Sequence, residues 1–219
     1  MIRFVTPLKL VLLVALVAAI VAGFVLIPPG ASLPVHWNFA GEPDGFLPRD
    51  WALLVPAAAT ALVWGIFLVV DRLATPADKE AGAYVVSVVL TALTALMVTI
   101  AVATVLIGTG RATNMVQILA VGIGILLLVL GNAMPKSRPN SFAGIRMPST
   151  LHSETNWAAT HRLGGWLTLA GGVILLIAAF VLPANLLVWW LIGCVIVPML
   201  IASAYSLVLA SRQREAAGR

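Results

Sequence analysis

Six long apolar runs, at residues 8–27, 52–70, 84–107, 115–131, 166–182 and 186–210, dominate this 219-residue chain. A bilayer core takes about 20 residues of helix to cross. Apart from Lys9 at the edge of the first run, none of the six holds an Asp, Glu, Lys or Arg. Lipid offers the backbone no hydrogen-bond partners, so such runs fold as helices. The expected fold is an all-α membrane protein with six transmembrane helices. Composition agrees: apolar residues make up 61% and charged residues 10%, against about 25% charged in soluble domains. The first run follows Arg3, as a signal peptide would, but its apolar stretch of about 20 residues exceeds the roughly 7–15 of a cleaved signal, so it reads as a span.

The positive charge sits between the runs. With the N-terminus in the cytoplasm, the inner segments hold Arg3 and Lys9, then Arg72 and Lys79, then Lys136, Arg138, Arg146 and Arg162, and finally Arg212, Arg214 and Arg219. That is 11 of the 13 basic residues, leaving Arg49 and Arg111 outside. The positive-inside rule favours this orientation, with both termini cytoplasmic. The formal net charge of +5 is spread thinly, without the basic cluster that phosphate contacts require, so direct nucleic-acid binding is excluded. A single cysteine, Cys194, excludes an internal disulfide and a Cys-rich metal site.

Within the spans, small residues recur every fourth position: Ala15, Ala19 and Gly23; Ala57, Ala61 and Gly65; Gly164, Thr168 and Gly172. Such stripes let helix backbones approach closely in lipid. Pro56 and Pro198 interrupt the second and sixth runs, where proline removes a backbone hydrogen bond. The intramembrane polar groups are mostly hydroxyls, expected to bond the carbonyl one turn back. Ion and proton pathways use ionisable groups in the membrane, so a proton-coupled pump is disfavoured. No internal repeat suggests an inverted-repeat transporter.

Chemistry gathers in two loops. The outer one, residues 33–46, carries the candidate ligand-binding residues His36, Trp37, Asn38, Gly41 and Asp44. Pro34 enforces an extended entry through residues 35–38, and Glu42-Pro43-Asp44-Gly45 is a turn signal. His36, Glu42 and Asp44 suit a metal but follow no zinc spacing. The loop reads either as an interfacial cap, with Trp37, Phe39, Phe46 and Trp51 at headgroup level, or as a surface for an extracellular ligand. The inner loop, residues 132–165, holds Asn132, Pro135, Asn140, Gly144, Arg146, Trp157 and His161 as partner-binding or structural residues. Ser153 is a helix N-cap followed by Glu154 in the first turn. Trp157, His161 and Gly165 then share one helical face. His152 and His161 are nine residues apart, whereas a helical zinc pair needs four. Arg146 and His161 serve either helix-end carbonyls and lipid phosphates or a cytoplasmic partner. His36 and His161 fall on opposite membrane faces, so they share no site.

Two blocks carry a family resemblance. Pro34-Val35-His36-Trp37-Asn38-Phe39-Ala40-Gly41-Glu42-Pro43-Asp44-Gly45 resembles the N-terminal domain of unknown function of many SdpI-like proteins. Gly131-Asn132-Ala133-Met134-Pro135-Lys136-Ser137-Arg138-Pro139-Asn140-Ser141-Phe142-Ala143-Gly144-Ile145-Arg146, followed by Trp157 and Thr160-His161-Arg162, resembles the core signature of the SdpI family. The chain departs from that pattern at Met147 and Ser149, and at Pro48 and Arg49. The resemblance implies a division into residues 1–83 and 84–219. It also implies a bacterial inner-membrane immunity and signalling protein without catalysis, metal or cofactor. Its outer loop would meet a secreted toxin peptide or envelope ligand, and its inner loop a cytoplasmic transcriptional repressor; membrane lipid is the remaining partner. The alternatives are a small transport or permeation protein and a membrane-embedded metal-dependent enzyme.

Overall fold

The computed structural model describes residues 5–111 and 114–217; Arg3 and Arg219, counted above, lie outside the described residues. The six expected spans are present as α1 (Pro7–Leu26), α2 (Arg49–Leu73), α3 (Pro76–Gly108), α4 (Met115–Ala133), α6 (Glu154–Val181) and α7 (Ala184–Ala217). A hairpin of β1 (Ser32–Trp37) and β2 (Pro43–Pro48) joins α1 to α2. The α4–α6 connection contains a 3₁₀ turn, η1 (Met134–Lys136), and the single-turn helix α5 (Pro148–Leu151).

Local chemistry sets the helix starts. The side chains of Thr6, Thr75, Asn114 and Ser153 accept from the backbone N–H three residues on, at 3.1–3.3 Å. Pro7 and Pro76 follow two of these caps, where proline costs the helix nothing. Two helices begin earlier than hydropathy indicates. α3 starts at Pro76 rather than at residue 84, and α6 at Glu154 rather than at 166. With 33 residues, α3 is about 50 Å long and stands clear of an apolar core of about 30 Å.

The helices form two groups, α1–α3 and α4, α6 and α7, which meet chiefly where α3 lies against α4. The second group is built on glycine. A Cβ on Gly131 would stand 2.7 Å from the Gly165 carbonyl oxygen, and one on Gly165 2.7 Å from that of Gly131. Seven residues along each helix, a Cβ on Gly172 would stand 2.8 Å from the Gly124 carbonyl oxygen. α4 and α6 therefore touch backbone to backbone along an antiparallel seam. Gly172 belongs to an expected stripe; Gly124, Gly131 and Gly165 do not. The Gly23 stripe also packs, against Leu53 and Val105. The Ala57, Ala61 and Gly65 stripe does not, because Gly65 faces open space.

Hydroxyls behave mostly as expected: Thr60, Thr91, Thr94, Thr99 and Thr104 each donate to the carbonyl four residues back, at 2.6–3.1 Å. Lys9 is not merely a charge at the membrane edge. It is fully buried, and its Nζ donates to Ser87 Oγ at 3.0 Å.

Gly131→Val should cost about 3 kcal/mol, because its side chain meets backbone rather than a movable side chain. Gly65→Ala should change stability by less than about 0.5 kcal/mol. Unfolding in mixed micelles measures both.

Candidate functional site

The two polar loops occupy opposite ends of the bundle. The hairpin lies beside the start of α7, where a Cβ on Gly41 would stand 2.7 Å from Ala184 Cβ. The other loop reaches the start of α3, where Ser141 N and Oγ both donate to the Asp78 carboxylate at 3.0 Å.

In the hairpin, β1 and β2 pair antiparallel from Ser32↔Pro48 to Trp37↔Pro43, with irregularities on either side of His36. The turn comes earlier than the expected Glu42-Pro43-Asp44-Gly45, since Pro43, Asp44 and Gly45 belong to β2. Asn38 makes the turn instead. Its carboxamide oxygen accepts from Ala40 N at 2.9 Å and Glu42 N at 3.0 Å, the local bonding for which Asn is favoured in turns. Gly41 takes φ +78° there, a conformation glycine adopts without strain.

His36 Nδ1 lies 2.5 Å from an Asp44 carboxylate oxygen, with side chains 71% and 44% exposed. An ion pair this open adds little stability and is free to meet a ligand. Among the described residues no third His, Cys, Asp or Glu joins them in a metal-sized group. Of the expected interfacial aromatics, Phe39, Phe46 and Trp51 are exposed, with Phe39 stacked on Trp189 at 5.1 Å. Trp37 instead packs inward against the α4, α6 and α7 core. Leu33 is buried with Ile27, Ala52, Leu53 and Val105 of the other group. The hairpin thus straddles both helix groups. Arg49 anchors its base: Nη1 donates to the Ile27 carbonyl at 2.8 Å, and the guanidinium lies over the Phe24 ring. There it satisfies a carbonyl at the end of α1 and complements that helix dipole.

Beneath the hairpin lies a cavity of about 450 Å³ between the two groups, with His36 and Trp37 at its roof, Ala59 and Met97 on one side, and Leu119 and Val188 on the other. Its lining is mainly apolar.

The second loop is tied down residue by residue. Asn140, buried, accepts from Ala143 N at 2.7 Å and donates to the Arg138 carbonyl at 2.8 Å. Trp157 Nε1 donates to the Ser137 carbonyl at 3.2 Å. His161 stacks on Trp157 at 4.0 Å. The Ile145 N–H donates to His161 Nε2 at 2.9 Å, so Nδ1 carries the ring proton and donates to the Trp157 carbonyl at 2.9 Å. Gly144, at φ +114°, passes directly over His161, and a Cβ there would collide with the ring. Pro135 packs on Gly165, while Asn132 accepts from Lys136 Nζ. The Arg146 guanidinium donates to the Ser141 carbonyl. Trp157, His161 and Asn140 therefore lie in the interior, where His161 meets neither lipid phosphate nor a soluble partner; Asn132, Pro135, Gly144 and Arg146 remain exposed.

Sequence reasoning missed a third cluster. Asn156, Thr160 and Ser206 are fully buried. The Asn156 carboxamide oxygen accepts from Thr160 Oγ1 at 2.9 Å and Ser206 Oγ at 2.8 Å, and its Nδ2 donates to the Ser206 carbonyl at 2.9 Å. Ser149, a departure from the family pattern, joins through Ser206 at 2.6 Å. An Asn inside an apolar helix was the available signal.

Residues 136–208 match the sequence profile of the SdpI/YfhL protein family. Immunity protein SdpI of Bacillus subtilis (strain 168) is 34% identical over 77 residues, which make up 35% of this chain. Over this segment the chain is similar to the SdpI family. It is a multi-pass membrane protein, with six helices long and apolar enough to cross a membrane among the described residues, and one segment of it is similar to an immunity protein. The match spans 37% of the length of that curated relative, and no solved structure matches. The family segment holds Asn140, Gly144, Arg146, Trp157 and His161 together with the Asn156 network; the hairpin lies outside it.

His161→Ala leaves the Ile145 N–H without its acceptor and should cost about 2–3 kcal/mol, with faster tryptic cleavage at Lys136 and Arg146. His36→Ala, on the exposed pair, should cost under about 0.5 kcal/mol. Thermal unfolding and limited proteolysis of the two variants measure the contrast.

Proposed function

We propose that this chain is an immunity protein of the bacterial cytoplasmic membrane that recognises a secreted amphiphilic toxin peptide on its hairpin face. The observation that carries the reading is the apolar cavity of about 450 Å³ roofed by His36 and Trp37. At that roof His36 contacts the exposed carboxylate of Asp44. An apolar side chain of the peptide enters the cavity while a cationic group meets Asp44. The charge count supports an outward-facing hairpin and cytoplasmic termini. The similarity to an immunity protein supports the biological role.

The opposite face docks a cytoplasmic repressor on the ordered segment 138–147, which presents Arg138 and Arg146 to solvent. Residues 1–83 bring the hairpin, and 84–219 the docking loop. α7 touches both ends: Ala184 lies against Gly41, and Ser206 holds Ser149 and Asn156. The separation along the helix is about 33 Å. Coupling requires that peptide and repressor prefer different seatings of α7.

Expression in a sensitive bacterium should protect it from a secreted amphiphilic peptide. Asp44→Asn and Ala59→Phe should abolish protection at unchanged membrane abundance. Full protection retained by both variants, or protection by the unmodified chain against no peptide, discards the reading. Orientation has a separate check. In a Cys194→Ala background, Ala40→Cys should react with an impermeant maleimide on intact cells, and Ser141→Cys only after permeabilisation. The inverse pattern reverses the two faces.

A further inference from the structure

We infer that the seam between α6 and α7 is a binding site for an anionic glycerophospholipid, its phosphate held by Arg162 and one acyl chain lying in the groove below. Two cavities follow one another along this seam. The first, about 480 Å³, is lined by Ala159, Arg162, Leu163, Trp166 and Tyr205. The second, about 470 Å³, is lined on α6 by Leu167, Gly171 and Ile174 and on α7 by Cys194, Val197 and Ile201, among others. A polar mouth therefore opens onto an apolar trough.

The mouth has the chemistry of a phosphodiester site. Arg162 is exposed and is the single charged residue in the lining. No carboxylate there competes for the guanidinium or offers a partner to the amine of a zwitterionic headgroup, so the site favours net negative charge. Arginine's planar fork suits phosphate oxygens. Trp166, 67% exposed, lies one turn from Arg162, and Tyr205, 39% exposed, stands across the seam. Trp and Tyr favour this depth, between headgroup and hydrocarbon.

The trough has the dimensions of a lipid tail. From Arg162 to Ile174 the helix rises about 18 Å, close to one leaflet of a core about 30 Å thick. Arg162 also heads an exposed face of α6 that continues through Trp166, Val173, Ile177 and Phe180, all at helical spacing on one side. The second acyl chain has that stripe to lie on. Gly193 keeps the trough open: a Cβ there would meet nothing within 4 Å. Basic pockets between helices are known ground for anionic headgroups; here the pocket is completed by a groove along the same two helices.

Native mass spectrometry of the detergent-solubilised chain titrated with phosphatidylglycerol tests the site. The unmodified chain should retain this lipid about tenfold more strongly than Arg162→Gln, the loss of one charge-assisted contact. Phosphatidylcholine should bind the unmodified chain no better than phosphatidylglycerol binds that variant. Gly193→Phe, which fills the trough without touching the protein interior, should cut retention comparably while the circular dichroism spectrum stays helical. Equal retention by the unmodified chain and Arg162→Gln overturns the site, and equal retention of the two lipids overturns its charge preference. Equally strong binding of glycerol 3-phosphate assigns the pocket to a soluble phosphate instead of a lipid. Unchanged retention by Gly193→Phe overturns the acyl-chain groove.

Discussion

The backbone contact between α4 and α6 is the interaction on which the rest of the structure depends. In lipid there is no hydrophobic exclusion to press helices together, so close packing must supply the association. Gly131 against Gly165 and Gly124 against Gly172 supply it. The same approach positions the polar loop. Pro135 lies on Gly165 and Met134 on Gly164, so the chain leaves α4 directly over α6. From there residues 137–145 can reach His161 and Trp157, one and two turns from Gly165 on the same helix. A side chain at Gly165 would lift the loop as well as part the helices.

That dependence explains which features were legible in sequence. The spans were readable because hydropathy is a property of each segment alone. The start of α3 was not, because its first turns are polar; that of α6 was readable at the Ser153 N-cap rather than in hydropathy. Asn156 and Thr160 tolerate burial only through Ser206, 50 residues away for Asn156, a partner that no local pattern announces. The stripe of Gly164, Thr168 and Gly172 was visible at four-residue spacing, but the seam repeats every seven residues and its other half, Gly124 and Gly131, sits on a different helix. The hairpin turn was misplaced because Pro43 and Asp44 carry turn propensity too. Asn38 prevails by bonding two backbone N–H groups at once, and β2 then claims Pro43 for the pair with Trp37.

The candidate site residues divide the same way. His36 and Asp44, eight residues apart, met across the hairpin because an extended segment with a nearby turn brings such positions together. From sequence, His161 read either as a group bonding helix-end carbonyls or lipid phosphates or as a docking residue for a cytoplasmic partner. It is instead a fully enclosed structural group whose two nitrogens are both used. What distinguishes it is Gly144, next to the Ile145 whose N–H bonds the ring: the glycine is needed because the ring lies beneath it.

The two ends of the bundle are held by different forces, and this bears on how a signal would cross it. At the end carrying residues 134–153, hydrogen bonds join α3 to the loop through Asp78 and Ser141, and the loop to α6 and α7 through Trp157, His161 and Ser149. At the hairpin end the two helix groups are bridged by Trp37 and by the contact of Gly41 with Ala184, above an apolar cavity. The bonds of Trp157 and His161 lie in a low-dielectric interior, where they are costly to leave unmade, whereas apolar contacts beside a cavity can be exchanged for those of an entering side chain at little cost. Compliance therefore belongs to the hairpin end and rigidity to the other. Under the proposed function, a ligand that fills the cavity would act first on the separation of the two groups and on the seating of α7 beside Gly41. Because α7 is also fixed at Ser206, movement at its start reaches the far loop as a tilt about that bonded point.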